Sequence, residues 1–138
     1  MNRTIQIVTA IGVGVAGLVL GDLNGLLVAL ILLMIFDYTT GVIVAIARKK
    51  LSSAVGFKGI AKKVFILVLV AVGHILGRYV FGSGEACRDM IIGFYIANEG
   101  ISILENSAKL GLPLPKQLIS ILDQLKNKTE EDKRNAKD

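Results

Sequence analysis

A chain of 138 residues that is 53% hydrophobic, with a mean hydropathy of +0.63, cannot keep most of its length in water. Outside its apolar runs only short loops and a C-terminal tail remain, which leaves no room for a soluble catalytic domain and points to one domain. The net charge of +5 is concentrated rather than spread, and the single cysteine, Cys87, excludes an intramolecular disulfide.

The first apolar run, residues 4–20, follows one cation, Arg3. It reads as a membrane span rather than a cleaved signal, because no A-x-A site follows it. Within it, Gly12-Val13-Gly14-Val15-Ala16-Gly17 fits G-x-G-x-x-G. That motif binds dinucleotides only after a strand in a βαβ unit, and here it lies inside an apolar helix. Gly21-Asp22-Leu23-Asn24-Gly25 is a helix-breaking turn, free of basic residues, that suits the outer face.

The second span covers about 25–47 and stops at Arg48-Lys49-Lys50. A bilayer core of about 30 Å needs roughly 20 apolar residues of helix, so this run suffices by itself. Asp37 and Thr40 make a polar patch in its inner half. The segment 48–61 reads as an inner loop, with Ser52, Ser53, Gly56 and Gly59 as its loop formers. Arg48, Lys49, Lys50, Lys58, Lys62 and Lys63 follow one another without an intervening acid. Between two apolar runs such a cluster marks a cytoplasmic loop under the positive-inside rule, and it can also touch anionic headgroups. A nucleic-acid partner is not expected.

The third span covers about 63–81 and carries His74 and Arg78, four apart and therefore on one helix face. Charged groups at membrane depth are costly unless paired or wetted, so Asp37, His74, Arg78 and Glu99 either fix the bundle or line an aqueous path. Arg78, near the outer end, can snorkel. The turn 82–89 is short and slightly acidic, as an external turn would be.

A weaker fourth span covers about 87–109. Asn98, Ser102, Glu105 and Lys109 recur at spacings of four, three and four and form one polar stripe, with Ile92, Ile96 and Ile103 on another face. A three-span version would lay this helix in the interface. Gly111 and the prolines 113 and 115 end it. Leu118, Ile121, Leu122 and Leu125 then mark an amphipathic cytoplasmic helix over 114–127, and 128–138 reads as a disordered charged tail.

The fold class is therefore an all-α integral membrane protein: a transmembrane domain over 1–113 with three to four spans, a short C-terminal amphipathic helix and a charged tail. With every basic cluster on one side, both termini are cytoplasmic. Gly17-xxx-Gly21, Gly73-xxx-Gly77 and Gly93-xxx-Ala97 are small-xxx-small pairs that let helices approach closely, and they favour a packed homo-oligomer. No catalytic set, metal-ligand cluster or cofactor motif can be assembled.

Four segments in order carry a resemblance: Asp37-Tyr38-Thr39-Thr40-Gly41, residues 56–63 (GFKGIAKK), residues 98–106 (NEGISILEN), and Gly111-Leu112-Pro113-Leu114-Pro115. Over roughly residues 25–127 the chain resembles the phage lysis and toxin-secretion holins of Gram-positive bacteria and their phages. The resemblance implies a small protein of the bacterial cytoplasmic membrane that oligomerises and opens lesions. Those lesions release an endolysin, a functional partner that need not touch it, or large toxins. The family's functional residues are poorly defined, so motifs carry over and a mechanism does not. On this reading the lipid bilayer and further copies of the chain are its partners. The fourth helix would line the lesion through Asn98, Glu99, Ser102 and Glu105, with Lys109 at the inner edge. Two rivals are a small multi-pass exporter with Asp37 or Glu99 as proton carrier, and a non-conducting holin antagonist.

Overall fold

The computed structural model describes residues 2–135. Helices α1 (Arg3–Leu20), α2 (Gly25–Ala47) and α3 (Ser53–Ile75) follow in order. α3 runs on through a π-helical turn, Leu76–Val80, and is followed by α4 (Ala86–Lys109) and α5 (Lys116–Asn135). Among the described residues there is no strand. α1, α2 and the continuous helix Ser53–Val80 are long and apolar enough to cross a membrane.

Local chemistry sets the joints. Gly21 holds φ at +78°, a left-handed value that only glycine adopts without strain, and so reverses the chain between α1 and α2. Asn24 then caps α2, its side-chain oxygen accepting from the Leu27 N–H at 3.0 Å. Ser52 caps α3 in the same way, accepting from the Val55 N–H at 3.2 Å.

That last cap corrects the sequence reading. The expected loop 48–61 shrinks to a connection of a few residues, and Lys58, Lys62 and Lys63 stand on α3 itself. Gly56 and Gly59, read as loop formers, are contact points of a helix. A Cβ on Gly59 would sit 3.0 Å from the Tyr38 ring, and one on Gly56 would sit 3.4 Å from its hydroxyl. The missing side chains let α3 lie against Tyr38 of α2.

α2 and α4 run parallel, with α3 antiparallel to both. The register is fixed at one end by Arg88 of α4 against the α1–α2 turn, and at the other by the Arg48 guanidinium donating to the Lys109 carbonyl at 3.4 Å. Leu27, Leu30 and Met34 of α2, Ile66 and Val70 of α3, and Ile92 of α4 form the buried core. Leu20, Ile31, Leu67, Ile91, Tyr95 and Ile96 surround it. Between helices in lipid the hydrophobic effect gives little drive, so close packing and polar links carry the association. α1 leans on α3 and buries none of its residues.

α4 is central to the bundle although it falls outside the apolar set. It packs along α2 and α3 and buries Arg88, Ile92, Glu99 and Asn106. α5 continues to Asn135, past the expected end at 127, so most of the segment read as a disordered tail extends a helix. No glycine or proline interrupts Lys116–Asn135, and its Lys, Glu, Gln and Arg are good helix formers. Residues 136–138 of that tail and the side chains of Leu122 and Leu125 lie outside the described residues.

Candidate functional site

Two polar layers cross the bundle. The first joins one residue from each of three helices. Lys63 stands ten residues after the start of α3, Asp37 ten before the end of α2, and Glu99 ten before the end of α4. At about 1.5 Å per residue each lies roughly 15 Å along its helix, half of a bilayer core. The Lys63 ammonium donates to the Asp37 carboxylate and to the Glu99 carboxylate. All three side chains are largely withdrawn, Glu99 most of all at 5% exposure. Asn106 closes the layer. Its amide donates to Asp37 Oδ1 at 3.3 Å and to Thr40 Oγ1 at 3.0 Å. A cavity of about 200 Å³ adjoins it, lined in part by Asp37, Tyr38, Lys63, Ser102 and Asn106.

The second layer lies at the opposite end. Arg88, only 1% exposed, spreads its guanidinium over four acceptors. It donates to the Leu20 carbonyl at 3.2 Å and the Asp22 carbonyl at 3.0 Å. It also pairs with Glu85 and with Asp89, each at 2.9 Å. Glu85 reaches on to His74 Nδ1 at 2.9 Å, which ties α3 to the same knot. Gly21 sits beneath it. A Cβ there would come within 2.6 Å of the Arg88 guanidinium and 2.9 Å of His74. Arg supports this node because its planar fork can serve several oxygens at once.

The expected site residues therefore divide. Asp37, Thr40 and Glu99 meet in the first layer. Lys63, expected in the cytoplasmic basic loop with Arg48, Lys49, Lys50, Lys58 and Lys62, turns into the bundle while those five remain exposed. The proposed lining set also splits. Asn98, Glu105 and Lys109 face outward and Ser102 is half-buried, but Glu99 points the other way into its ion pair. His74 and Arg78 line one cavity, together with Gly17, Asp22 and Glu85. His74 is buried and Arg78, within the π turn that begins at Leu76, is exposed.

The glycine pairs divide as well. A Cβ on Gly73 would meet Ile91 Cδ1 at 2.6 Å and the Arg88 Cα at 3.1 Å, so α3 and α4 touch backbone to backbone there. A Cβ on Gly77 would meet the Gly84 carbonyl and, at 3.2 Å, Cys87 Cβ. Gly21 serves a turn rather than a helix contact. Gly17 and Gly93 face open space.

Sequence reasoning missed Arg88, Asn106 and Tyr38. A signal for the first two was present. Arg88, Ile92, Glu99 and Asn106 are spaced four, seven and seven, one face of a helix. Among the described residues no group of His, Cys, Asp and Glu could hold a metal ion.

The sequence profile of the bacteriophage holin family matches residues 14–127. The chain is 46% identical over 102 residues to an "Uncharacterized 14.9 kDa protein in nagH 3'region" of Clostridium perfringens, covering 74% of this chain and 77% of that one. It is 39% identical over 133 residues to "Uncharacterized protein Lin0175" of Listeria innocua, covering 91% and 94%. It is 31% identical over 119 residues to "Uncharacterized protein YtkC" of Bacillus subtilis, covering 86% and 88%. No solved structure matches it. With three apolar helices long enough to cross a bilayer, this is a multi-pass membrane protein, and it belongs to the bacteriophage holin family.

Proposed function

We propose that the chain is a holin: it accumulates in the bacterial cytoplasmic membrane with both termini inside, associates with further copies, and opens lesions that pass an endolysin or a large toxin. The observation that carries this beyond family membership is the outward face of α4. Asn98 and Glu105 lie exposed on a helix packed inside a membrane bundle. A polar amide and a carboxylate facing lipid are costly, and either a neighbouring copy or water in a lesion removes that cost. Gly93 and Ala97, exposed at the other edge of the same helix, leave room for close approach.

The exposed cations Arg48, Lys49, Lys50, Lys58 and Lys62 support placing the α2–α3 end in the cytoplasm. α5, with Ile119 and Ile121 exposed, then lies where it can rest on the inner leaflet.

The test is induced expression in a bacterium holding a cytoplasmic endolysin without an export signal, with culture density and membrane potential followed together. Abrupt, delayed lysis with loss of potential is the expected result. Stable density and potential, with the protein in the membrane, would overturn it in favour of a non-conducting antagonist. Substrate-dependent transport with cells intact would favour an exporter built on Asp37 and Glu99.

A further inference from the structure

We propose that α4 is a conditional span, held across the membrane by the Lys63–Glu99 ion pair and released to the interface when that pair is broken. Three helices are long and apolar enough to cross by themselves, and α4 is not one of them. Yet α4 lies lengthwise between α2 and α3 and reaches both ends of the bundle.

Its burden is specific. Arg88 and Asp89 stand near its start, Glu99 at mid-length, and Glu105 and Lys109 towards its end. The terminal charges lie close enough to an interface to reach headgroups or water. Glu99 does not. It is 4% exposed, roughly 15 Å from the helix end, and its ion-pair partner is Lys63 of α3. Asp37 shares the same ammonium from α2, so Lys63 is set in place by the hairpin that precedes α4. The order of the chain gives the logic: α2 and α3 present a fixed cation at mid-depth, and α4 enters by delivering a carboxylate to it. Asn106 adds a second link to α2, through Asp37 and Thr40.

The inference concerns insertion and is independent of whether the assembled protein opens lesions. If α4 leaves the membrane, the C-terminus moves to the opposite side, because the number of crossings changes from even to odd. The full chain carries a C-terminal alkaline phosphatase, active only outside, or a fluorescent protein, bright only inside. Each signal is divided by the fusion protein found in the membrane fraction.

The native sequence should give fluorescence and little phosphatase activity. Lys63→Met leaves Glu99 unpaired and should raise phosphatase activity at least tenfold with matching loss of fluorescence. Glu99→Lys, which sets two cations against each other without lowering the basic count, should do the same. The double change Lys63→Met with Glu99→Gln removes the demand for a partner and should return the C-terminus inside. Lys58→Met deletes a positive charge from the same stretch at an exposed position and should leave it inside. The proposal is overturned by an unaltered chain whose C-terminus is already outside, by Lys63→Met retaining an internal C-terminus, by Lys58→Met acting as strongly as Lys63→Met, or by a double variant that stays outside.

Discussion

Lys63 of α3 and Glu99 of α4, 36 positions apart, are joined by a charge-assisted hydrogen bond inside the bundle, and the same ammonium serves Asp37 of α2. One cation thereby links three helices at one depth. Because lipid offers no alternative hydrogen-bond partners, each member depends on the others more than it would at a water-exposed surface.

Removing one partner from a buried ion pair strands the other, at a cost of about 3–5 kcal/mol. Lys63→Met should therefore lower the thermal midpoint in detergent sharply. Glu99→Gln in the same background should cost far less than it does alone, because the pair is already lost. Helical circular dichroism on the four proteins of this cycle reads the coupling. Additive losses would show that the two residues do not act as a pair.

Arg88 ties the start of α4 to the turn between α1 and α2 through two backbone carbonyls. Arg88→Lys keeps the charge and loses the fork, so the turn should loosen while the bundle stays folded. Protease added from the turn side should cut residues 20–25 several-fold faster in this variant. Unchanged cleavage would mean that Gly21 and Asn24 hold the turn unaided.

Gly73 and Gly93 make a matched comparison. A methyl at Gly73 meets Ile91 and the backbone of Arg88, whereas at Gly93 it meets nothing within 4 Å. Gly73→Ala should destabilise the monomer by about 1–3 kcal/mol, the usual cost of overpacking. Gly93→Ala should leave the monomer's thermal midpoint unchanged. If Gly93 instead lies between copies, its substitution should weaken crosslinking in membranes without touching that midpoint.

The outward polar residues of α4 are the functional counterpart. Asn98→Leu with Glu105→Leu should preserve membrane insertion, seen as an unchanged membrane-fraction yield, and should delay or abolish lysis in the endolysin assay. Lysis on the native schedule would remove this face from lesion formation.

What the sequence by itself determined was set by solvent. Long apolar runs have one stable home, so the bounds of α1 and α2 could be read almost to the residue. The stop at Arg48-Lys49-Lys50 and the break after Leu110 were equally plain, because charge, glycine and proline act locally. What only the tertiary structure decided was partnership. Lys63 sits in a run of cations and looks like its neighbours. It turns inward because Asp37 and Glu99 lie opposite it on other helices, a fact no local pattern contains. Gly56 and Gly59 read as loop and are helix, because the ring that needs their missing side chains belongs to Tyr38 in α2. Glu99 parted from the lining set expected with Asn98, Ser102 and Glu105 for the same kind of reason. Which way a side chain faces is fixed by the register of packed helices, and that register arises from contacts between distant parts of the chain.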